Sequence, residues 1–178
     1  MTLDWPHLDD IAVAVLALVT AQRLAELAYA RFNEARLRKS GGVEHGASHY
    51  PLIVALHAAW LAGLWLAASG TRPHTGWLAV FLVLQGMRGW VLLTLGSRWT
   101  TRVIVLPDKP PIQSGPYRFL SHPNYAVVAA EIFVLPMAFG LVAYALVFSL
   151  LNAAVLAVRI RAENAALSSP RAVAGEIS

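Results

Sequence analysis

The sequence predicts an all-α polytopic membrane protein with about five transmembrane helices, and three observations carry that prediction. Hydrophobic residues make up 57% of the 178-residue chain and charged residues only 13%, about half the charge of an ordinary soluble domain. The apolar residues gather in runs long enough to cross a bilayer, which takes about 20 residues at 1.5 Å each. The one long polar stretch carries Pro107, Pro110, Pro111 and Pro116 and so cannot be a continuous helix. The mean hydropathy of +0.56 agrees, and the length suits a single domain, residues 1–178.

In chain order, the first predicted span covers residues 11–30, behind an Asp9-Asp10 start. An acidic flank and no small-residue cleavage site argue against a cleaved signal peptide. The second span, residues 51–69, opens on Pro51, a residue suited to a first helical turn. The third covers residues 76–96, and a polar loop follows over residues 97–121. The next apolar stretch, residues 123–160, is too long for one crossing. It splits into helices 123–138 and 141–161, a hairpin turning near Phe139-Gly140. Residues 168–178 read as a disordered tail, and no internal repeat is present.

Lys and Arg set the expected orientation. Arg31, Arg36, Arg38 and Lys39 follow the first span, Arg98, Arg102, Lys109 and Arg118 lie in the long loop, and Arg159, Arg161 and Arg171 close the chain. The opposite side holds only Arg72. This asymmetry puts the N-terminus outside and the loop and C-terminus in the cytoplasm, and it requires an odd number of crossings. Trp5 and Trp77 at the outer boundary, with Tyr29, Tyr50 and Trp99 at the inner one, fit that plan.

The net charge of +4 does not imply nucleic acid, because the basic residues sit between apolar runs, where anionic headgroups are the expected neighbours. With no cysteine, thiolate chemistry is excluded. Glu44, His45 and His49 lie close together but lack a defined ligand geometry, so no metal is predicted. No dinucleotide glycine pattern or Walker lysine motif is present.

The chemistry concentrates in the loop and its flanks. Ser121 or His122 can cap a helix with Pro123 at its first position, giving an N-terminus suited to a carboxylate or phosphate. His122 and Tyr125 are three apart and share a face. Asn152, Arg159 and Glu163 stack at spacings of seven and four on an otherwise apolar helix, where ionisable groups usually meet a cavity or a partner. Glu131, nine residues from His122, falls on the other side of its helix. Gln85 and Arg88 can reach the same pocket or act structurally. Arg23 and Glu26 suit a stabilising i,i+3 pair, and His57 suits a core histidine.

The run Gly115-Pro116-Tyr117-Arg118-Phe119-Leu120-Ser121-His122-Pro123-Asn124-Tyr125, then a hairpin and Arg159-Ile160-Arg161-Ala162-Glu163, resembles the isoprenylcysteine carboxyl methyltransferase family of membrane enzymes. That family's pattern is approximately G-P-Y-x-x-x-R-H-P-x-Y with a later R-x-x-x-E, so Ser121 departs from it. Arg23, Glu26, Asn33, Gly42-x-Glu44-x-Gly46-x-x-His49-Tyr50-Pro51, His57, Trp99-Thr100-Thr101-Arg102 and Val105-Leu106-Pro107 resemble the bacterial branch that O-methylates long-chain alkylpyrones.

The resemblance implies S-adenosylmethionine at the cytoplasmic end of the hairpin and a lipophilic acidic acceptor entering from the bilayer of a bacterial inner membrane. On that basis Tyr117, Arg118, His122, Pro123, Tyr125 and Glu163 are the candidate cofactor contacts. Arg159, His122 and Arg88 are the candidate catalytic residues, and Arg102, Asn152 and Arg159 the candidate acceptor contacts. Prenylcysteine carboxyl methylation, an NADPH-dependent sterol-type reductase and a non-enzymatic lipid-binding protein are the alternatives.

Overall fold

The computed structural model describes residues 10–68, 71–107 and 109–167. The tail expected to be disordered, and Trp5 and Asp9, lie outside them. Five apolar helices form an all-α membrane bundle: α1 (Asp10–Lys39), α2 (Tyr50–Ala67), α3 (Thr75–Leu95), α4 (Pro123–Ala138) and α5 (Val142–Leu167). The chain is an integral membrane protein.

Helix α1 shows why one face turns inward. Its buried residues, Ala12, Leu16, Val19, Glu26, Ala30, Asn33 and Leu37, recur at helical spacing, while Leu18 and Leu24 on the outer side are 71% and 62% exposed. Large exposed leucines of this kind fit contact with lipid, which has no preference against apolar surface. The helix runs nine residues beyond its expected end at residue 30, because Asn33 and Leu37 extend the inward stripe and no Gly or Pro intervenes before Gly41.

Among the described residues, four helices have the length and hydropathy to cross a membrane. Helix α4 is shorter: its 16 residues span about 24 Å, against a hydrocarbon core of about 30 Å. It is also the helix most enclosed by protein, with Val127, Glu131, Ile132, Val134, Leu135 and Ala138 all buried. Its neighbours, rather than lipid, cover it. The hairpin turns where expected, at Phe139 and Gly140, and Gly140 takes the left-handed conformation (φ 73) that favours glycine.

At the end opposite the polar loop, Leu16, Trp60, Leu64, Phe81, Ile132, Leu135 and Phe139 form the larger hydrophobic cluster. The His74 amide there donates to the Ala138 carbonyl at 2.7 Å, joining the α2–α3 connection to the end of α4. Helices α2 and α5 approach closely at Gly63: a Cβ there would collide with the Tyr144 hydroxyl, which donates to the Trp60 carbonyl at 2.6 Å. A second cluster at the polar end joins Ala30, Val91 and Trp99, with Leu95 and Tyr117 against it.

Two short strands were not anticipated. β1 (Val43–His45) and β2 (Val103–Val105) pair antiparallel, with Glu44 opposite Ile104. This ribbon fastens the segment after α1 to the long loop after α3, and so brings both polar segments to one end of the bundle.

Candidate active site

At that end a cavity of about 200 Å³ opens between the loop and the starts and ends of α3, α4 and α5. Tyr117, His122, Tyr125, Arg102, Arg159 and Glu163 all line it. The two halves of the sequence motif therefore meet: His122 caps α4 and Tyr125 lies in its first turn, while Arg159 and Glu163 come from the last turns of α5.

Their contacts form a relay. The Tyr125 hydroxyl donates to a Glu163 carboxylate oxygen and accepts from Arg159 Nε at 2.8 Å. Tyr125 thus stands between two residues whose i,i+4 spacing alone suggests a direct pair. The Arg159 guanidinium carbon also lies 5.4 Å from the Tyr125 ring centre. The His122 ring stacks on Tyr125 at 5.2 Å, its Nε2 lies 3.2 Å from Asn164 Oδ1, and its Nδ1 lies 3.9 Å from Glu163. Arg159 is 8% exposed, and among the described residues its terminal nitrogens carry no protein hydrogen bond. A guanidinium held by one nitrogen, with its fork free, is arranged to meet an anion.

His122 precedes α4 as its cap residue but makes no side-chain cap bond. Pro123 has no N–H, and the Tyr125 and Ala126 amides turn back to the His122 carbonyl. Asn124 lines the cavity beside Tyr125 in the same turn, and its Oδ1 is buried without a protein partner. The Nε1 of Trp99, which also lines the cavity, is likewise buried and unpartnered. Buried polar atoms of this kind are normally satisfied, so each keeps hydrogen-bonding capacity that the described residues do not use. Burial and the nearby Glu163 charge push the Tyr117 hydroxyl up to about 12, which keeps it a neutral donor.

Arg102 lines the cavity with its charge already engaged. It bonds Glu44, lies 3.5 Å from Glu34, and stacks 4.1 Å from the Tyr50 ring centre. The hydrogen bond to Glu44 lifts the Arg102 guanidinium further above its usual range. Burial works against the Glu44 charge, but hydrogen bonds from Arg102 and Arg38 outweigh it and hold that carboxyl below its usual range.

Four candidates lie elsewhere. Arg118 is exposed and off the cavity wall. Pro123 lines an apolar groove on the other face of α4, with Phe119, Leu120 and Val127. Asn152 is buried about two turns deeper in α5, its Oδ1 unpartnered. Arg88 belongs to a different polar centre between the two hydrophobic clusters. It donates to Glu26 from Nε at 2.6 Å and from a second nitrogen, and to Glu131 at 3.0 Å. Arg23 reaches Glu131 at 2.7 Å and Glu26 at 3.2 Å, and Gln85 donates to Glu131 at 2.8 Å. Two guanidinium and two carboxylate groups from α1, α3 and α4 thus close on one another.

Residue spacing did not disclose Trp99, Asn124, Asn164 or Arg98 as cavity or second-layer residues. Asn124 was visible as the variable position between Pro123 and Tyr125, and Asn164 as the neighbour of Glu163. Nothing local marks Arg98, which lines the wall and donates to the Pro110 carbonyl at 2.9 Å.

Residues 77–169 match the family model described as the isoprenylcysteine carboxyl methyltransferase (ICMT) family. The chain is 40% identical over 158 residues to the uncharacterized protein YpbQ of Bacillus subtilis, covering 86% of this chain and 94% of that protein. It is 25% identical over 159 residues to an uncharacterized protein of Haemophilus influenzae, covering 85% and 92%. No solved structure matches it.

Proposed function

The chain belongs to the isoprenylcysteine carboxyl methyltransferase family, a family of membrane methyltransferases, and from that premise we propose that it is an S-adenosylmethionine-dependent O-methyltransferase for a lipophilic acidic acceptor. The observation that carries the reading is Arg159, a buried guanidinium in the cavity whose terminal nitrogens are unengaged among the described residues.

The cavity fits S-adenosylmethionine on its own chemistry. Glu163 offers a carboxylate for amino or ribose groups, Asn124 and Trp99 offer a buried acceptor and a buried donor without partners, and Tyr117 and Tyr125 offer aromatic faces for a sulfonium. When bound, S-adenosylmethionine supplies a methyl group on positively charged sulfur. The protein's part is then to hold, orient and keep dry. An acidic enol or carboxylate is already an anion near neutral pH and needs no strong base. Arg159 holds its oxygen, Tyr125 fixes the Arg159 side chain, and His122, stacked on Tyr125, orients the same wall.

The acceptor we favour is a long-chain alkyl 4-hydroxy-2-pyrone or related polyketide lipid, on the motifs of the N-terminal half. A prenylcysteine carboxylate is the second reading, supported by the description of the matching family. Both acceptors are greasy and would reach the cavity from the bilayer. The membrane is a bacterial inner membrane, with the cavity cytoplasmic, a reading supported by the Lys and Arg asymmetry and by the bacterial relatives. Because the chain has no cysteine, Thr71→Cys and Ser114→Cys report topology directly. Periplasmic thiol reagent should label the first and spare the second.

The deciding experiment incubates membranes with methyl-labelled S-adenosylmethionine and alkylpyrones, alkylresorcinols or farnesylcysteine. Label in the pyrone is the expected result, and label in farnesylcysteine alone would establish the second reading. Binding of NADPH in place of S-adenosylmethionine would point to a reductase, and binding of neither to a lipid-binding protein.

A further inference from the structure

Helix α1 lies outside the residues matched by the family model, 77–169, yet it holds one wall of the cavity in three ways. Asn33, fully buried, donates from Nδ2 to the Trp99 carbonyl at 2.9 Å and to the Gly96 carbonyl at 3.2 Å. Seven residues earlier on the same face, Glu26 accepts two hydrogen bonds from Arg88. The Arg88 guanidinium carbon in turn lies 5.9 Å from the centre of the Trp99 ring. Ala30, between them, lies in one hydrophobic cluster with Val91 and Trp99. Backbone, ring and packing of one cavity-lining tryptophan are therefore all set from α1.

A helix serving only as a membrane anchor needs apolar residues, and polar side chains buried in it are costly. Here the buried polar positions converge on Trp99, which is 3% exposed and keeps an unpartnered Nε1 donor. We propose that α1 is a positioning element of the reaction site: Asn33, and Glu26 acting through Arg88, fix Trp99 so that its ring and Nε1 contact the bound methyl donor. The inference rests on the reading of the cavity as a methyl-donor site.

The test uses the full chain in lipid nanodiscs, labelled with 5-fluorotryptophan, with the Trp99 resonance assigned through Trp99→Phe. S-adenosylhomocysteine is the probe. In the wild type the probe should shift the Trp99 resonance. Asn33→Ala should move that resonance without probe and weaken probe binding about tenfold, the scale of one or two lost hydrogen bonds. Glu26→Gln should act in the same direction, and if that variant does not fold, Asn33→Ala decides alone.

Tyr144→Phe, which loses one hydrogen bond at the far end of the bundle, is the control and should leave both readouts at wild-type values. A folded Asn33→Ala protein with an unmoved Trp99 resonance and wild-type affinity overturns the proposal. Equal weakening by Asn33→Ala and Tyr144→Phe also overturns it, since general loosening would then suffice. Failure of the wild type to bind the probe sinks the donor-site reading itself. That failure is distinguishable, because the Trp99 resonance still reports whether α1 sets this wall.

Discussion

The ion network around Arg88 and the cavity around Arg159 each hold a buried arginine in contact with side chains from other helices, but they differ in what is left over. Arg88 is committed from three nitrogens to two carboxylates, which Arg23, Gln22 and Gln85 also bond. Arg159 uses one nitrogen, and buried atoms of Asn124 and Trp99 nearby have no protein partner. A closed network satisfies its own charge and holds helices together. An open one keeps valence for something that is not protein. In a membrane chain, where every buried charge looks functional at first, how many guanidinium nitrogens are committed to carboxylates separates the two, although Arg23 Nε and Gln85 Oε1 beside Arg88 are also buried without a partner.

Four variants would break or sharpen that contrast. Arg159→Ala should lower methyl transfer at least about a hundredfold, the scale of losing one donor to a reacting oxygen, while thermal unfolding in detergent stays near that of the wild type. Near-normal turnover would remove Arg159 from the site. Arg88→Ala should act chiefly on the fold: stranding Glu26 and Glu131 costs about 3–5 kcal/mol of stability, read as a lowered unfolding midpoint, with donor binding weakened only about tenfold through the loosened Trp99 ring. Unchanged stability would mean the network is not closed.

A pH test comes next. The Glu44 carboxyl lies below its ordinary value of 4.5 when folded, so its contribution is complete above 4.5 and is lost as pH falls through the lower folded value. The effect should be at most about 1 kcal/mol, as for other partly exposed ion pairs. It is visible as a lower amide protection factor in Val43–His45 at acid pH, once the intrinsic slowing of exchange is divided out, and Glu44→Gln should abolish that pH dependence. Smallest, Tyr144→Phe should cost about 1 kcal/mol with turnover intact. A loss of turnover there would mean the two ends of the bundle are coupled.

Much of this was legible in the sequence because it depends on local spacing. Apolar run lengths located the helices, and the length of the run over residues 123–160 required a hairpin that turns at Phe139 and Gly140. The three-residue step from His122 to Tyr125 placed both rings on one face, and the four-residue step from Arg159 to Glu163 did the same for their charges. The remainder depends on partners far apart in the chain. Glu26 reads as the partner of Arg23, three residues away, and nothing local points to Arg88, 62 residues on. Strands of three residues carry no measurable alternation, so the ribbon of Val43–His45 with Val103–Val105 was invisible. Asn33 sits in a run of charged residues that reads as a solvated flank, and only the fold shows its amide under the Gly96 and Trp99 carbonyls.

The brevity of α4 has a consequence for how the protein is made. Sixteen residues with a carboxylate at Glu131 make a poor candidate for independent entry into a bilayer, where a central acidic residue costs about 2.5–3.5 kcal/mol on insertion. The ribosome delivers Arg23 and Arg88 before it delivers Glu131. When α4 arrives, its counter-charges already wait in α1 and α3, and the 26-residue α5 follows as the greasy partner that carries it in. Order of synthesis thus suits order of assembly: the least lipid-soluble helix comes late, into a berth the earlier ones have prepared.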